Sequence, residues 1–375
     1  MRVLHLTAGN LFGGIERALL NWLAVERGHS GLRSEVGLCF GGRLAEQLAA
    51  GGVVVHKLPE VRFSRPWSVL RARAALRGLL RRDRPDVAVM HACWSHAVFA
   101  PVLARAGVAC VFFVHDIPAG RHWLERLAGR TRPQRVLTNS DFTRSTVDRL
   151  FARVPSETAY LPLPEPRPAG EQAQEQLRSG LGVGGDELVI LIAARLERWK
   201  GHALLLEALG HLRDRGDLPL WRCWVAGEAQ RAHEQVYRQE LEDQAARLGI
   251  AGRVQWIGLR QDMAEVLAAA DVHCQPNSGP EPFGMAFVEA LQAGLPVITT
   301  DLGGASEILG GRSGGFGLLV EPGSAVKLAE GLAGLLGDAG LRRRLAEAGP
   351  GRAAELCGPS VAMPRLEAGL RAAMG

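Results

Sequence analysis

The stretch Pro280–Asp301 reads P-E-P-F-G-M-A-F-V-E-A-L-Q-A-G-L-P-V-I-T-T-D, and two carboxylates in it, Glu281 and Glu289, stand eight residues apart. A short apolar helical pattern follows Gly284 and stops at the G-L-P of residues 294–296, where glycine and then proline are typical of a helix end. The next four residues are typical of a buried strand. The stretch therefore predicts a loop, a short helix and a buried strand in succession.

The chemistry of this stretch suits a phosphorylated ligand that is rich in hydroxyl groups. Pro282 and Gly284 disfavour a continuous helix, so we expect Glu281 in the loop and Glu289 one to two turns inside the helix. The free amides of residues 283–286 would lie at the positive helix end, which suits a phosphate. Carboxylates on either side accept hydrogen bonds from sugar hydroxyls. On these residues alone, an ordinary capped helix whose Glu281 only complements the helix dipole is the alternative.

Length and composition predict a globular protein with two large cores. The chain has 375 residues, of which 47% are hydrophobic and 22% are charged. The sequence contains no apolar run of about 18 residues, and its strand-like start lacks the apolar region and cleavage site of a signal peptide. We expect a cytoplasmic protein, with a peripheral position at the inner membrane face as an alternative. Six scattered cysteines without a C-x-x-C pair predict buried free thiols and no metal site.

Short apolar strands alternate with helical patterns along the chain, which is typical of parallel, doubly wound α/β sheets. Four prolines within residues 162–168 form the clearest linker, because proline continues neither a helix nor a central strand. We predict a Rossmann-like domain over residues 1–165, a second over 166–357, and a final helix over 358–375. Ligands of such sheets lie beyond the carboxyl ends of the strands, so the residues that follow strands are the candidates.

Three candidates in the first half follow predicted strands. Gly13 and Gly14 lie in a turn that opens a helix, where a phosphate could approach the backbone. The turn does not match the dinucleotide pattern G-x-G-x-x-G, and no acidic residue follows the second strand to hold a ribose. His115 follows the apolar run 111–114, where a histidine can bond a substrate hydroxyl or simply cap a turn.

The second half offers a pair of cations and two further turns. Arg195 and Lys200 lie five residues apart across a predicted strand-to-helix turn. Two cations there fit a diphosphate whose leaving charge must be stabilised, and an ordinary solvated basic loop is the alternative. Gly227 and Gly258, with Arg260 close behind, mark the turns after the next two strands.

Taken in this order, these pieces resemble the retaining GT-B glycosyltransferases of family 4, which use nucleotide sugars. The resemblance spans nearly the whole chain. It rests on the E-x7-E motif within E-P-F-G-M-A-F-V-E-A, and on A-R-L-E-R-W-K-G, F-G-G-I-E-R, V-H-D, V-A-G-E, N-S-D-F-T-R and F-G-L-L-V-E-P-G. It implies a GT-B architecture, in which two Rossmann-like β/α/β domains face an interdomain cleft and the final helix crosses back onto the first domain.

The resemblance also implies a role for each candidate residue. Glu289 would hold the ribose. The catalytic set would be Glu281 against the donor sugar, Arg195 and Lys200 on the diphosphate leaving group, and His115 at the sugar 6-hydroxyl. The remaining donor-binding positions would approach the phosphates, the sugar 4-hydroxyl or the base: Gly13, Gly14, Gly227, Gly258, Arg260, Phe283, Gly284 and Met285.

We therefore expect a retaining glycosyltransferase that moves a hexosyl unit from a nucleotide diphosphate sugar, UDP-linked, to an acceptor hydroxyl of a glycan, lipid or natural product. The family implies a front-face mechanism without a protein nucleophile, and no cofactor or required metal. A GDP-mannose-dependent mannosyltransferase of the same fold is one alternative. From other classes, an NAD-dependent oxidoreductase on two Rossmann halves and a catalytically idle sugar-binding relative remain.

Residues 62–84 contain eight arginines among apolar residues. We favour an amphipathic helix of the first domain with its arginines in water. The alternative is an interfacial helix that makes weak peripheral contact with an anionic membrane. Nucleic-acid binding is not expected, because the aromatic residues Phe63 and Trp67 lie at one end only.

Overall fold

A computed structural model describes residues 1–10, 13–28, 31–166, 170–229, 231–313 and 315–375. The chain forms two compact units, of which the first comprises Met1–Pro164 with Leu356–Gly375 and the second comprises Glu165–Glu355. Phe12 of the F-G-G-I-E-R motif and the last residues of the predicted linker, 167 and 168, lie outside the described residues.

The first unit is built on a seven-stranded parallel sheet in the order β3-β2-β1-β4-β5-β6-β7. Its strands are β1 Arg2–Thr7, β2 Arg33–Leu38, β3 Val55–Lys57, β4 Val87–Met90, β5 Ala109–Val114, β6 Arg135–Thr138 and β7 Ser156–Thr158. Its helices are α1 Gly14–Glu26, α2 Arg43–Ala50, α3 Pro66–Arg82, α4 Cys93–Ala106, α5 Trp123–Ala128, α6 Asp141–Arg144 and α7 Asp148–Phe151. The apolar runs of the sequence predict six of these strands, near residues 3–6, 35–40, 53–57, 86–91, 109–115 and 135–138, and β7 is the strand that sequence reasoning missed.

The second unit is built on a six-stranded parallel sheet in the order β10-β9-β8-β11-β12-β13. Its strands are β8 Leu188–Ala193, β9 Trp221–Ala226, β10 Val254–Gly258, β11 Val272–Gln275, β12 Val297–Thr300 and β13 Leu318–Val320. The helices that follow along the chain are α8 Glu171–Gly180, α9 His202–Leu212, α10 Ala232–Arg247, α11 Met263–Ala268, α12 Met285–Gln292, α13 Ala305–Leu309, α14 Ala325–Gly337 and α15 Ala339–Cys357. The central strands read as continuous apolar runs because helices cover both faces of a parallel sheet.

The final helix, α16, spans Pro359–Arg371 and belongs to the first unit. It packs near α1, and its Gly369 lies so close to Leu137 of β6 that a Cβ would come within 2.7 Å of that side chain. The chain thus returns to the first sheet after α15.

Helix α3 contains most of the arginine-rich stretch and is amphipathic, as predicted. Ala72, Leu76 and Leu79 are buried in the core of the first unit, whereas Trp67 and Leu70 are 76% and 51% exposed. Within the part of the chain that the structure describes, no helix has the length and apolar character needed to cross a bilayer. The arginine-rich helix therefore packs as part of the fold while it keeps an exposed apolar tip.

The six cysteines are free thiols. Five of them are buried, as predicted, and Cys93 is only partly buried. Burial raises the pKa of the Cys39, Cys110 and Cys223 thiols to about 12, so these side chains are inert at neutral pH.

Candidate active site

The predicted site residues divide between the two units. Gly13, Gly14 and His115 lie in the first unit, and all the others lie in the second. The side chains that sequence reasoning singled out meet most closely around Glu281, after strand β11.

Glu281 is 8% exposed, and three donors converge on its Oε2 atom. Lys200 Nζ lies 2.7 Å away, Asn277 Nδ2 lies 3.1 Å away and Gln275 Nε2 lies 3.2 Å away. The Lys200 ammonium also sits over the Trp199 ring, 3.9 Å from its centroid. No described residue hydrogen-bonds the Oε1 atom, which is not buried. Glu281 thus has one oxygen fixed by the protein and one oxygen open as a hydrogen-bond acceptor.

Close backbone packing holds the Glu281 loop in place. Glu281 forms a bridge with Gly303, and its carbonyl accepts a hydrogen bond from the Gly304 N–H at 2.8 Å. Gly303 has a φ of +66°, and a Cβ there would lie 2.2 Å from the Glu281 carbonyl oxygen. Gly201, next to Lys200 and with a φ of +82°, lies so close to Pro276 that a Cβ would lie 1.8 Å from its carbonyl oxygen. Glycine at both positions lets three loops meet.

Arg195 lies on the turn after β8 and forms an ion pair with Glu197, with 2.8 Å between Nη1 and Oε1. The other oxygen of Glu197 accepts a hydrogen bond from the Trp199 indole at 2.9 Å. The indole that supports Lys200 is therefore tied to the carboxylate that holds Arg195. Sequence reasoning named both cations but missed Glu197 and Trp199, although both stand in the A-R-L-E-R-W-K-G motif.

Helix α12 begins at Met285, and Gly284 before it has a φ of +111°. A Cβ at Gly284 would lie 2.4 Å from the Phe287 ring, so this helix start requires glycine. Glu289 is the fifth residue of α12 and is partly buried, which confirms the predicted placement one turn inside the helix. Phe283 is 2% exposed, so its ring is buried in the protein.

The turn after β9 contacts the end of β10 and the turn after β8. The Gly227 N–H donates to the Gly258 carbonyl at 2.9 Å, and a Cβ at Gly227 would lie 2.0 Å from the Ala194 carbonyl oxygen. The Arg260 guanidinium donates to Asp262 at 2.8 Å, and this bond lowers the pKa of the Asp262 carboxyl. A contact of the Arg260 guanidinium with a donor would therefore compete with this ion pair.

In the first unit, α1 begins at Gly14, and the Gly13 N–H donates to the Glu16 carboxylate at 2.9 Å. Among the described residues, no heavy atom outside its chain neighbours and its own helix lies within 4 Å of a Cβ built at Gly14, so these residues leave space beside the helix start. His115 directly follows β5, and its Nε2 lies 2.9 Å from His91 Nδ1. Burial, and then the neighbouring His91, hold the pKa of His115 well below its usual range, so the ring is neutral.

Sequence reasoning missed Gln275 and Asn277, whose amides fix Glu281. The available signal was their position, because Gln275 ends strand β11 and Asn277 follows two residues later. It also missed His91, which follows β4 in the same way that His115 follows β5.

One cluster of potential metal ligands in the first unit already binds an arginine side chain. Glu35, His56 and Asp83 lie close enough together to share an ion. The Arg2 guanidinium pairs with both carboxylates of this grouping. The ion pairs account for the arrangement without a metal.

Two family models match the chain. "Glycosyl transferases group 1" matches residues 173–352, and "Glycosyl transferase 4-like domain" matches residues 13–164. The D-inositol 3-phosphate glycosyltransferase of Corynebacterium urealyticum is 31% identical over 226 residues, which cover 58% of this chain and 52% of that protein. The lipopolysaccharide core biosynthesis glycosyltransferase LpsE of Rhizobium meliloti is 32% identical over 172 residues, or 46% of each chain. The chain matches about half the length of these curated relatives.

The fold is similar to that of Anabaena Alr3699/HepE, whose crystal structure contains UDP-glucose. The TM-score is 0.83 and the identity is 25%, over 98% of this chain and 99% of that chain. The chain belongs to the group 1 glycosyltransferases, family 4, and has the GT-B fold. The resemblance and the α/β architecture read from the sequence are thereby confirmed.

Proposed function

We propose that this protein is a retaining glycosyltransferase that moves a hexosyl unit from a UDP-linked sugar to an acceptor hydroxyl. The observation that carries the proposal is the Glu281 arrangement. One carboxylate oxygen is fixed by Lys200 and two amides, and the other is open to a ligand. An open acceptor beside a cation suits a ligand that combines hydroxyl groups with a diphosphate.

The second unit supplies the groups that such a donor needs. Lys200 and Arg195 stand on one turn and would stabilise the charge of the departing diphosphate. The start of α12 would add the amides of Gly284 and Met285, together with the positive end of the helix. Glu289 lies one turn further along α12, where its carboxylate would accept the ribose hydroxyls.

The surroundings of Glu281 favour binding over nucleophilic attack. The Lys200 ammonium neutralises much of the negative charge of the carboxylate, and two amides occupy the same oxygen. A carboxylate held in this way is a weak nucleophile and a well-oriented acceptor. The proposed reaction is therefore a front-face transfer, in which the leaving phosphate helps to take the proton of the acceptor hydroxyl.

The structure of HepE with UDP-glucose supports a UDP-linked donor, and GDP-mannose is the alternative donor. The names of the two curated relatives support an acceptor hydroxyl on a phosphorylated polyol or on a lipopolysaccharide core. Both are rich in hydroxyl groups, as are the glycan, lipid and natural-product acceptors expected from the sequence.

A thermal-shift series with UDP, GDP and NAD tests the donor class. A ligand that binds only the folded state at 100 times its Kd stabilises by about 2.7 kcal/mol, so the cognate nucleotide should raise Tm clearly. We expect stabilisation by UDP. Stabilisation by GDP alone would favour the mannosyltransferase alternative, and stabilisation by NAD alone would favour the oxidoreductase and overturn the proposal.

The variant Glu289→Ala tests the assigned ribose contact. We expect it to keep its fold, to lose most of the UDP shift and to lose release of UDP from UDP-glucose. Glu330→Ala, which removes an exposed carboxylate on α14 that pairs with Lys327, is the matched control and should behave as the wild type. Unchanged turnover in Glu289→Ala would refute the ribose contact assigned to Glu289. Absence of UDP release from the wild type with every acceptor tried would favour an idle sugar-binding protein.

A further inference from the structure

A hydrogen-bonded line of side chains runs through the first unit behind His115. His115 Nε2 lies 2.9 Å from His91 Nδ1, and His91 Nε2 lies 2.8 Å from His5 Nδ1. His5 Nε2 lies 3.0 Å from the Ser34 hydroxyl, which donates to Glu26 Oε2 at 2.6 Å. We call these five residues the histidine chain.

The histidine chain follows the geometry of the sheet. Ser34 lies in β2, His5 lies in β1, and His91 and His115 follow β4 and β5. Each link moves one strand across the sheet and two residues toward the carboxyl ends. Side chains in a strand alternate with a period of two, so these steps keep the whole line on one face. Glu26, the last residue of α1, closes the line at the far end.

The three imidazoles are neutral. His5 is 0% exposed and His91 is 1% exposed, and the Trp22 and Phe113 rings pack against them. Burial lowers the pKa of His91 to about 3 and holds the pKa values of His5 and His115 well below the usual range. A neutral imidazole has one donor nitrogen and one acceptor nitrogen, so each link of the chain has a direction.

Glu26 sets the direction of the first link. The Ser34 backbone N–H can only donate, and it donates to Glu26 Oε1 at 2.7 Å. Burial raises the pKa of Glu26, and the hydrogen bonds from the Ser34 hydroxyl and backbone N–H are the first causes that oppose this rise. Both carboxylate oxygens accept a hydrogen bond from Ser34, which is the arrangement of an ionised carboxylate. An ionised carboxylate only accepts, so the Ser34 hydroxyl must donate to it.

The remaining links follow in turn. The Ser34 oxygen accepts from Nε2–H of His5, which leaves His5 Nδ1 as an acceptor. His5 Nδ1 then accepts from Nε2–H of His91. His91 Nδ1 in turn accepts from Nε2–H of His115. The Nδ1 of His115 therefore carries no proton. No described residue hydrogen-bonds this nitrogen, and it is not buried.

We propose that Glu26, Ser34, His5 and His91 are positioning residues that hold His115 in its Nε2–H tautomer, so that its Nδ1 lone pair accepts a hydrogen bond from a hydroxyl of the donor sugar. The assignment of the sugar as the ligand rests on the proposed function, whereas the tautomer does not. The consequence is a rule of specificity. A ligand group that faces Nδ1 must be a hydrogen-bond donor, and a carboxylate there is rejected.

The substitution Glu26→Gln tests the direction of the chain. The single carbonyl of glutamine must face the Ser34 backbone N–H, which places the amide NH₂ against the Ser34 hydroxyl oxygen. That hydroxyl then donates to His5, and every link beyond it reverses. His115 consequently gains a proton on Nδ1 and loses the proton on Nε2, with no change in the number of protons on the chain.

Side-chain ¹⁵N spectra of the full-length protein at pH 7.5 distinguish protonated from unprotonated ring nitrogens. The protein contains 11 histidines, and the signals of His115 are identified by their loss in His115→Asn. We expect an unprotonated Nδ1 at His115 in the wild type and a protonated Nδ1 in Glu26→Gln. An Nδ1–H tautomer in the wild type would overturn the proposal, as would the same tautomer in both proteins.

Two further variants keep this test decisive. Glu35→Gln removes the same charge from the residue next to Ser34, but Glu35 is 9% exposed and pairs with His56 outside the histidine chain. It should leave the His115 tautomer unchanged. Ser34→Ala cuts the link to Glu26 and should produce a measurable Nδ1–H fraction even if Glu26→Gln does not fold. A fully Nε2–H His115 in a folded Ser34→Ala protein would contradict the role given to Glu26.

Donor binding gives a functional readout. UDP-glucuronate carries a carboxylate in place of the 6-hydroxyl of UDP-glucose. Losing one neutral hydrogen bond changes affinity by about threefold to tenfold. The substitution Glu26→Gln should therefore lower the affinity for UDP-glucose by that factor. It should raise the affinity for UDP-glucuronate relative to UDP-glucose and leave the affinity for UDP unchanged. An unchanged preference between the two sugars in a variant with a reversed tautomer would refute the sugar contact. If the wild type binds none of these nucleotides, the proposed function fails, and the spectra still decide the tautomer.

Discussion

Replacing Lys200 by methionine removes the cation from the Glu281 carboxylate while it keeps most of the side-chain length. The Lys200 and Glu281 side chains are 14% and 10% exposed, and 2.7 Å separates their charged atoms. Removing one partner of a fully buried pair costs about 3–5 kcal/mol. Because Gln275 and Asn277 still hold the carboxylate and the site borders solvent, we expect a loss of about 2–3 kcal/mol in the free energy of unfolding of the second unit.

The reciprocal variant, Glu281→Gln, should cost less. Lys200 keeps the Trp199 ring beneath its ammonium and can turn toward water, so the expected loss is about 1–2 kcal/mol. The double variant leaves no unpaired charge. Its cost should therefore be smaller than the sum of the single costs by about 1–3 kcal/mol, which is the range for residues in direct contact.

Nucleotide binding separates the roles of the two residues further. Under the proposed function, Lys200 attracts the diphosphate and Glu281 repels it while it holds the sugar. Lys200→Met should lower the affinity for UDP at least about tenfold, which corresponds to the loss of one charge-assisted hydrogen bond. Glu281→Gln should bind UDP as well as the wild type or better, and yet lose transfer from UDP-glucose.

Denaturant unfolding and calorimetric titration with UDP at fixed ionic strength measure these quantities. Lys327→Met is the matched control, because its ion pair with Glu330 is exposed on both sides and should contribute little to stability. An unfolding free energy that is unchanged in Lys200→Met would refute the buried pair. A loss of UDP affinity in Glu281→Gln as large as in Lys200→Met would refute the opposing roles.

Three further predictions concern the folded chain. Burial keeps the folded pKa of two histidines of the first unit at or below about 4, while their ordinary value is 6.5: His91 and His96. Their contribution to stability is nearly complete at pH 7.5 and falls as the pH drops toward the folded pKa values. Between pH 7.5 and 5.5 each residue costs about 1.4 kcal/mol, or about 3 kcal/mol together, and a flat urea-unfolding profile over this range would contradict the burial. Gly303→Ala forces a Cβ against the Glu281 carbonyl and should lower the free energy of unfolding by more than about 2 kcal/mol. The control Gly252→Ala, whose Cβ meets no described atom within 4 Å, should change it by less than about 0.5 kcal/mol. Equal effects of the two substitutions would disprove the close approach at Gly303. If α3 docks on anionic membranes, its exposed Trp67 and Leu70 side chains insert into the bilayer interface. Trp67→Ser should then reduce co-flotation of the protein with anionic vesicles. Absence of wild-type flotation at low salt would rule out the membrane contact.

The sequence predicts most strands well because a strand buried on both faces leaves a strong local signal. Strand β8 reads L-V-I-L-I-A and is buried along its centre. Strand β7 reads S-E-T and has no such signal. Its extended form comes from pairing with β6, beside which it lies at the end of the sheet, and no local preference reveals such a pairing.

The positions of the candidate residues in the fold were predictable, but their contacts with one another were not. The position of Glu281 in a loop and of Glu289 inside α12 follows from the proline and glycines between them. The ion pair between Glu281 and Lys200 joins residues 81 positions apart, and two loops of the same sheet must pack before it exists. Gln275 was missed because an amide at the end of a strand is common and becomes informative only once its partner is known.

The histidine chain shows the same limit more sharply. The side chains of the histidine chain form a line only because their strands lie next to one another in the sheet, each offset by two residues from the last. The strand order β2-β1-β4-β5 that brings them together cannot be predicted from any local sequence pattern. His5, His91 and His115 are separated by long stretches of chain. A sequence that shows three buried histidines cannot show which nitrogen of each carries the proton, because that depends on Glu26 at the far end.

Each unit separately presents a hydrogen-bond acceptor that no described residue fills, at the carboxyl end of its sheet. Each of these acceptors carries little net charge. The Oε1 of Glu281 belongs to a carboxylate whose charge Lys200 largely compensates, and the Nδ1 of His115 belongs to a ring that burial keeps neutral. An isolated carboxylate or a free anion at either position would repel a nucleotide diphosphate. Compensation by an ammonium in one unit and by desolvation in the other leaves acceptors that favour hydroxyl groups and oppose the phosphates less than an uncompensated anion would. That combination is what a donor made of a sugar joined to a diphosphate requires, and the proposed function uses it at both positions.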